Sequence, residues 1–309
     1  MPLDKQAAAY VQLVAELGGP PFEEMSPEEI REVFDVGFAA PATGLTTLED
    51  ITIPGPGGPL ALRIHRPQAE GPHPVLVYFH GGGWVVGNFG THDFVCEELA
   101  DRTPCIVVSV DYRLSPETRF PGPVDDCYAA TEWAASNAAA LGAKPGPVAV
   151  GGDSAGGQLA AAISLRARDA GLALALQLLI YPVTDAACDS ASYAEFADGL
   201  NLTKPAMLYF WEHFLGPDCD PAHPDASVLR APDLAGVAPA YVLTAEYDVL
   251  RDEGEAYADR LRAAGVRTYA YRYPGQLHGF ATMPSGTFDS TPVVQAMLAD
   301  ALRAAFVVR

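Results

Sequence analysis

Gly152-Asp-Ser-Ala-Gly156 sets a serine between two glycines, within the run Val148-Ala-Val-Gly-Gly-Asp-Ser-Ala-Gly-Gly157. An apolar stretch precedes it and an alanine-rich one follows, so the spacing predicts a strand, a sharp turn and a helix. Such a turn strains the serine's backbone and lifts Oγ above the sheet at a helix N-terminus, where partial positive charge favours a developing anion. Small residues on both sides let neighbouring chain pass without a clash. The chemistry this suits is nucleophilic attack by Ser154 on a carbonyl carbon. A dinucleotide loop would need Gly-x-Gly-x-x-Gly and a phosphate loop Gly-Lys-Ser/Thr; neither pattern is here, while a plain tight turn stays open.

A serine attacking a carbonyl builds negative charge on oxygen, and preorganised N–H donors must meet it, each worth roughly 3–4 kcal/mol. His80-Gly-Gly-Gly-Trp84, directly after the apolar run 75–79, offers backbone amides that no side chain screens. Alone, the glycines fit a flexible loop or a phosphate nest equally well; upstream of the serine turn they fit an oxyanion site. The serine also needs a base. In the order serine, acid, histidine the base follows the last core strand. Of seven histidines only His278, in Pro274-Gly-Gln-Leu-His-Gly-Phe280, does so. Without the serine, a lone histidine would read as structural or solvated. The acid should follow the apolar run 241–244, where Glu246, Asp248, Asp252 and Glu253 are candidates. Asp252 and Glu253 read as first-turn residues of a helix, where carboxylates favour the dipole. Asp248, in the turn, is the expected acid and Glu246 the alternative.

These groups need elements to hold them. Residues 5–17 read as a helix, as do 26–36, with Ser26 as N-cap, Pro27 at the first helical position and Glu29 as capping-box partner. Residues 48–53 and 60–65 read as strands around the Gly/Pro turn 54–59. Strand-like runs at 75–79, 106–110, 148–150, 176–181, 241–244 and 267–273 then alternate with helical patterns at 124–140, 155–170, 253–264 and 292–306. Continuous apolar runs suit strands buried on both faces. The alternation predicts an α/β fold with a mostly parallel central sheet flanked by helices, and antiparallel strands at one edge. Residues 185–230 interrupt it with aromatic helical pieces (Tyr193, Phe196, Tyr209, Phe210, Trp211, Phe214) and a Pro/Asp-rich loop at 217–225. An insert at the carboxyl end of a parallel strand lies over the active edge of the sheet. The aromatics suit a pocket lining or plain packing of a cap on the core. The expected division is N-terminal cap helices at 1–45, a core from 46–184 and 231–309, and a cap insert at 185–230.

The formal net charge is −20, and lysine occurs only at Lys5, Lys144 and Lys204. That argues against nucleic acid as a partner, since such binding rests on Lys and Arg neutralising phosphates. The acidity itself reads as solubility. No run of about 20 apolar residues is present, so no membrane span is expected, and the first residues do not read as a signal peptide. Cys96, Cys105, Cys127, Cys188 and Cys219 are odd in number and none is paired as Cys-x-x-Cys. They read as free thiols in a reducing cytoplasm, not as a disulfide framework or a zinc site.

Together these residues resemble the hormone-sensitive-lipase-like esterases of the α/β-hydrolase fold, also called bacterial lipolytic family IV. The likeness is carried by His80-Gly-Gly-Gly-Trp84, Asp111-Tyr-Arg-Leu-Ser-Pro-Glu117 with Phe120-Pro121, Gly152-Asp-Ser-Ala-Gly-Gly157, Tyr181-Pro182, Asp248-Val-Leu-Arg-Asp-Glu-Gly254 and His278-Gly-Phe280. They run in the family's order from about residue 45 onward. The resemblance implies a serine carboxylesterase with a catalytic triad of Ser154, Asp248 and His278. It implies an oxyanion hole from the backbone N–H groups of Gly82, Gly83 and Ala155, and structural roles for His80 and the segment 112–117. It implies no metal and no cofactor, a small-molecule ester of short or medium acyl chain as substrate, and it is compatible with a homodimer. An amidase or dehydratase on the same site, or a non-catalytic small-molecule receptor of the same fold, is the alternative. Departures from the family's pattern are Val249 for proline, Ser115 for alanine and Gln158 for the commoner asparagine; none falls on a group of the implied site.

Overall fold

The computed structural model describes residues 2–39, 43–284 and 286–307. The rest of the expected segments 1–45 and 231–309 lies outside the described residues. Eight strands form one sheet among them: β1 (Thr46–Gly55), β2 (Gly58–Pro67), β3 (Val75–Phe79), β4 (Ile106–Asp111), β5 (Val148–Asp153), β6 (Leu174–Ile180), β7 (Ala240–Tyr247) and β8 (Thr268–Leu277). Their order is β1-β2-β4-β3-β5-β6-β7-β8. All pairs from β4 to β8 are parallel, while β2 is antiparallel to both β1 and β4, which is the expected edge hairpin.

The apolar runs are buried on both faces because helices cover both. In β3, Val75, Val77 and Phe79 point into one core and Leu76 and Tyr78 into the other, as the two-residue period of a strand requires. The first core takes α4 (Gly122–Ser136), α5 (Ala155–Ala170) and α8 (Arg251–Ala263); the second takes α3 (Phe89–Arg102) and α9 (Ser290–Val307).

The apolar pattern does not predict α3. Ten successive residues, 91–100, are buried there. A helix covered on every side shows no polar stripe, and two of its acids take partners from outside the helix: Asp93 accepts from Arg63 at 2.7 Å, and Glu97 accepts from the Thr43 hydroxyl at 2.6 Å. β7 and β8 run farther than their apolar cores, to Tyr247 and Leu277, and Tyr247 pairs with Leu277 past an irregularity. Glu246, Pro274, Gly275 and Gln276 break the apolar run without ending the pairing.

Before the sheet lie α1 (Lys5–Leu17) and α2 (Pro27–Phe38). Ser26 and Glu29 close the expected capping box: Ser26 N–H donates to the Glu29 carboxylate at 2.8 Å, and Glu29 N–H to Ser26 Oγ at 3.3 Å. α1 lies along the end of β8, with Asp4 N–H donating to Gly275 O at 2.8 Å and the Tyr10 ring 5.6 Å from that of Phe288. α2 is anchored elsewhere: Arg31 donates to Val85 O and Ser115 O, both at 2.9 Å, and forms a two-pronged ion pair with Glu117. Between β6 and β7 the insert supplies α6 (Ala191–Glu195) and α7 (Lys204–Leu215).

Candidate active site

Ser154 falls between the last residue of β5 and the first of α5, with φ 55° and ψ −119°. Held in this sparsely populated region, a non-glycine residue costs of order 1–3 kcal/mol and persists only where the surroundings over-determine it. They do: Ser154 N–H donates to Ile180 O at 2.9 Å, and Ser154 O accepts from Val183 at 3.2 Å and Gln158 at 3.1 Å. Gly156 has to be glycine, because a Cβ there would stand 1.9 Å from Phe79 O.

The long pairing of β7 with β8 positions the other two groups. Asp248 and His278 each follow directly on the last pair, Tyr247 and Leu277. His278 Nε2 lies 3.0 Å from Ser154 Oγ, and His278 Nδ1 lies 2.7 Å from Asp248 Oδ2. Asp248 Oδ1 accepts the Leu250 N–H at 3.0 Å, so the turn itself fixes the carboxylate. A carboxylate at Nδ1 selects the tautomer with its proton there, which leaves Nε2 free to accept from the hydroxyl. Ser154 and His278 are 8% exposed and Asp248 1%, so the three sit at the edge of water, not in it.

The remaining acidic candidates have other partners. Glu246 accepts the Gly275 N–H at 2.6 Å. Asp252 accepts the Ser192 N–H at 2.8 Å and pairs with Arg251. Glu253 lies in the first turn of α8 as expected, but it is buried and accepts from Thr184 N–H at 2.6 Å and Asp185 N–H at 3.3 Å. Burial pushes its carboxyl well above the usual range, with Asp185 and Asp248 adding and the two amides opposing.

Gly82 and Gly83 lie in the loop after β3, with φ of 113° and 57°, and Ala155 opens α5 beside Ser154. A Cβ on Gly83 would sit 2.3 Å from Cγ of Phe210, so the α7 ring lies directly on this glycine. His80 Nδ1–H donates to Gly81 O at 2.7 Å. Tyr112 stacks on the imidazole at 4.2 Å and donates to His80 O at 2.8 Å. Burial, helped by neighbouring His92, lowers the His80 pKa to about 3, so the ring stays neutral.

Four residues of this constellation were given no part in the site by the motifs. Asp153 accepts from Tyr78 OH at 2.7 Å and from Gly81 N–H at 3.1 Å, joining the serine turn to the glycine loop. Burial pulls its carboxyl up, but His92 and the Tyr78 hydroxyl outweigh that and hold it below the usual range. Its one signal is its place beside the serine. Trp84 donates to Gln158 at 3.0 Å; for that pair the sequence carries only the unusual glutamine. From the insert, Asn201 Nδ2 donates to His278 O at 3.0 Å.

The chain matches the description of the α/β hydrolase fold over residues 76–282, a stretch holding Gly82, Gly83, Ser154, Ala155, Asp248 and His278. The carboxylic ester hydrolase LipN of Mycobacterium tuberculosis is 46% identical over 242 residues, which cover 76% of this chain and 64% of LipN. The arylesterase of Saccharolobus solfataricus is 36% identical over 304 residues, covering 97% of this chain and 99% of the arylesterase. The crystal structure of a thermostable esterase from Pseudomonas putida superposes with a TM-score of 0.95 at 36% identity, over 100% of this chain and 99% of that one. With a sheet of this order and relatives matched over this much of its length, the chain belongs to the α/β-hydrolase fold family, among its hormone-sensitive-lipase-like esterases.

Proposed function

We propose that this chain is a serine carboxylesterase that cleaves short- to medium-chain acyl esters through an acyl-enzyme on Ser154. The observation that carries the reading is the unbroken relay from Ser154 Oγ to His278 Nε2 at 3.0 Å and from Nδ1 to Asp248 at 2.7 Å. His278 takes the proton as Oγ attacks the ester carbon, and Asp248 stabilises the imidazolium so formed. The N–H groups of Gly82, Gly83 and Ala155 receive the oxyanion. His278 then protonates the departing alcohol, the carbonyl re-forms on Ser154, and a water repeats the sequence to release the acid.

Residues 185–230, with α2 and the 3₁₀ turn Phe22–Glu24, act as a cap in this reading. Phe22 packs against Phe210 with ring centres 6.2 Å apart, and Tyr209 OH donates to Met25 O at 3.1 Å. An aromatic roof resting on the glycine loop favours small acyl groups over long ones. Among the described residues no helix is long and apolar enough to cross a membrane. All five cysteines are free, which fits a cytoplasmic setting.

Mass spectrometry of rapidly quenched p-nitrophenyl butyrate turnover should find the butyryl group on the peptide holding Ser154; its appearance on any other residue defeats the reading. A p-nitrophenyl series from acetate to palmitate should peak among the short chains, and a maximum at palmitate removes the proposed substrate class. Matched ester and amide substrates separate this function from an amidase.

A further inference from the structure

We propose that Trp84 and Gln158 are positioning residues that aim the oxyanion loop; the proposal rests on the esterase reading above. Trp84 follows Gly82 and Gly83 directly and is fully buried, yet its φ is 61°. A bulky residue keeps that left-handed backbone only when its neighbours force it to.

The neighbours are specific. The indole Nε1–H donates to Gln158 Oε1 at 3.0 Å. Its ring stacks on Phe214 of α7, centres 4.2 Å apart and planes 9° apart, and packs on Trp211 at 4.6 Å. Trp84 O accepts the Ser115 N–H at 2.8 Å. Gln158 is itself buried, one helical turn past Ser154, and its own N–H donates to Ser154 O at 3.1 Å. Its Nε2 donates to Asp225 O at 2.6 Å, in the segment by which the insert returns to the core. One buried glutamine therefore joins the serine turn through its backbone N–H and the oxyanion loop and the insert through its side-chain amide.

The consequence is geometric. The Gly83–Trp84 peptide plane carries Gly83 O and Trp84 N–H and is hinged at the Gly83 Cα to the plane that carries the Gly83 N–H, so relaxation of Trp84 toward an ordinary φ turns the first plane and, through that shared Cα, re-aims the Gly83 N–H. Oxyanion donors act only when they point at the place where charge develops. Loss of the indole bond should thus weaken binding of the transition state and leave binding of the ester nearly untouched.

Trp84→Phe keeps an aromatic ring and removes the donor. Gln158→Leu keeps much of the volume and removes both amide bonds. Each should lower kcat on p-nitrophenyl butyrate about tenfold with KM changed less than about twofold. Affinity for an alkyl trifluoromethyl ketone, whose serine adduct carries an oxyanion, should drop by the same factor. The double variant should be no slower than the slower single, since both remove one shared bond. Should either variant fail to fold, Gln158→Met carries the same test, because it keeps the unbranched length of the side chain and removes both amide bonds. Unchanged kcat per titrated active site, with only the melting temperature lowered, overturns the proposal. Ser154→Ala measured alongside separates the failures: retained turnover there refutes the esterase site itself, whereas a dead Ser154→Ala beside fully active Trp84→Phe and Gln158→Leu refutes only the positioning role.

Discussion

Asp248 and His278 are 30 residues apart in sequence, yet they leave neighbouring strands one residue past the same cross-strand pair and meet at 2.7 Å. The carboxylate divides its oxygens: Oδ2 faces His278 Nδ1 and Oδ1 accepts the Leu250 N–H. Asparagine at position 248 must keep an acceptor toward Leu250, which turns its NH₂ toward Nδ1. The imidazole proton then moves to Nε2, and the ring can no longer accept from Ser154. Asp248→Asn should therefore fold normally and lose on the order of 10⁴ in kcat, as the same change does in a serine protease. A loss under about tenfold would transfer the acid's role to another carboxylate, Glu246 first.

Ser154→Ala should abolish turnover of p-nitrophenyl butyrate. Alanine carries the same backbone strain as serine at this φ, and the turn is held by backbone bonds to Ile180 and Val183 that the change does not touch. Its melting temperature should thus stay close to that of the parent, as calorimetry would show. A large drop in stability would mean that Oγ holds the turn as well as serving in the relay.

Two buried histidines make stability fall in acid. Burial lowers the pKa of His65 to about 3, with Arg63 adding to the shift, and burial with His92 lowers that of His80 to about 3. In the unfolded chain a histidine titrates near 6.5. Between those values the unfolded state binds two protons that the native state refuses, so stability drops as pH falls through this window. Each ring contributes up to about 1.4 kcal/mol per pH unit. His65→Leu removes one of the two without touching the glycine loop. Its unfolding free energy should depend on pH about half as steeply between about pH 6 and about pH 4.5, measured by urea titration; an unaltered slope would mean that His65 takes up a proton in the folded protein.

The site was legible in the sequence to the extent that it is built from backbone. Ser154 announces itself because its turn tolerates only small neighbours, and Gly82 and Gly83 because Val86 O and the Phe210 ring leave no room for a Cβ. His278 and Asp248 followed from chain order, since parallel strands deliver their loops to one edge. Side-chain contacts across long separations leave no such trace. Gln158 reads as a helix residue until Trp84 and Asp225 are brought to it from 74 and 67 residues away. α3 stayed hidden for a related reason: its buried acids are paired with Arg63, Thr43 and Thr46, so their charge pattern imitates a solvated loop.

Glu253 is where a residue read as a simple helix-dipole acid gains a second role. It does lie in the first turn of α8, but it also accepts the Thr184 and Asp185 N–H groups where the chain leaves β6 for the insert. Burial holds its carboxyl well above the ordinary range, whereas the unfolded chain ionises it near 4.3. A raised folded pKa means that the native state keeps a proton the unfolded state releases. The stabilisation is complete below the unfolded value and is lost as pH climbs toward the folded one. Gln is a neutral isostere that keeps the carbonyl acceptor and has no proton to lose. Glu253→Gln should consequently gain on the parent as pH rises from about 5 to about 8, seen as a melting-temperature difference that grows in its favour. Glu253→Ala strands two buried amides and should cost about 1–3 kcal/mol for each at every pH. If Glu253→Gln instead loses as much as Glu253→Ala, the native carboxyl is ionised, and the two amides outweigh burial.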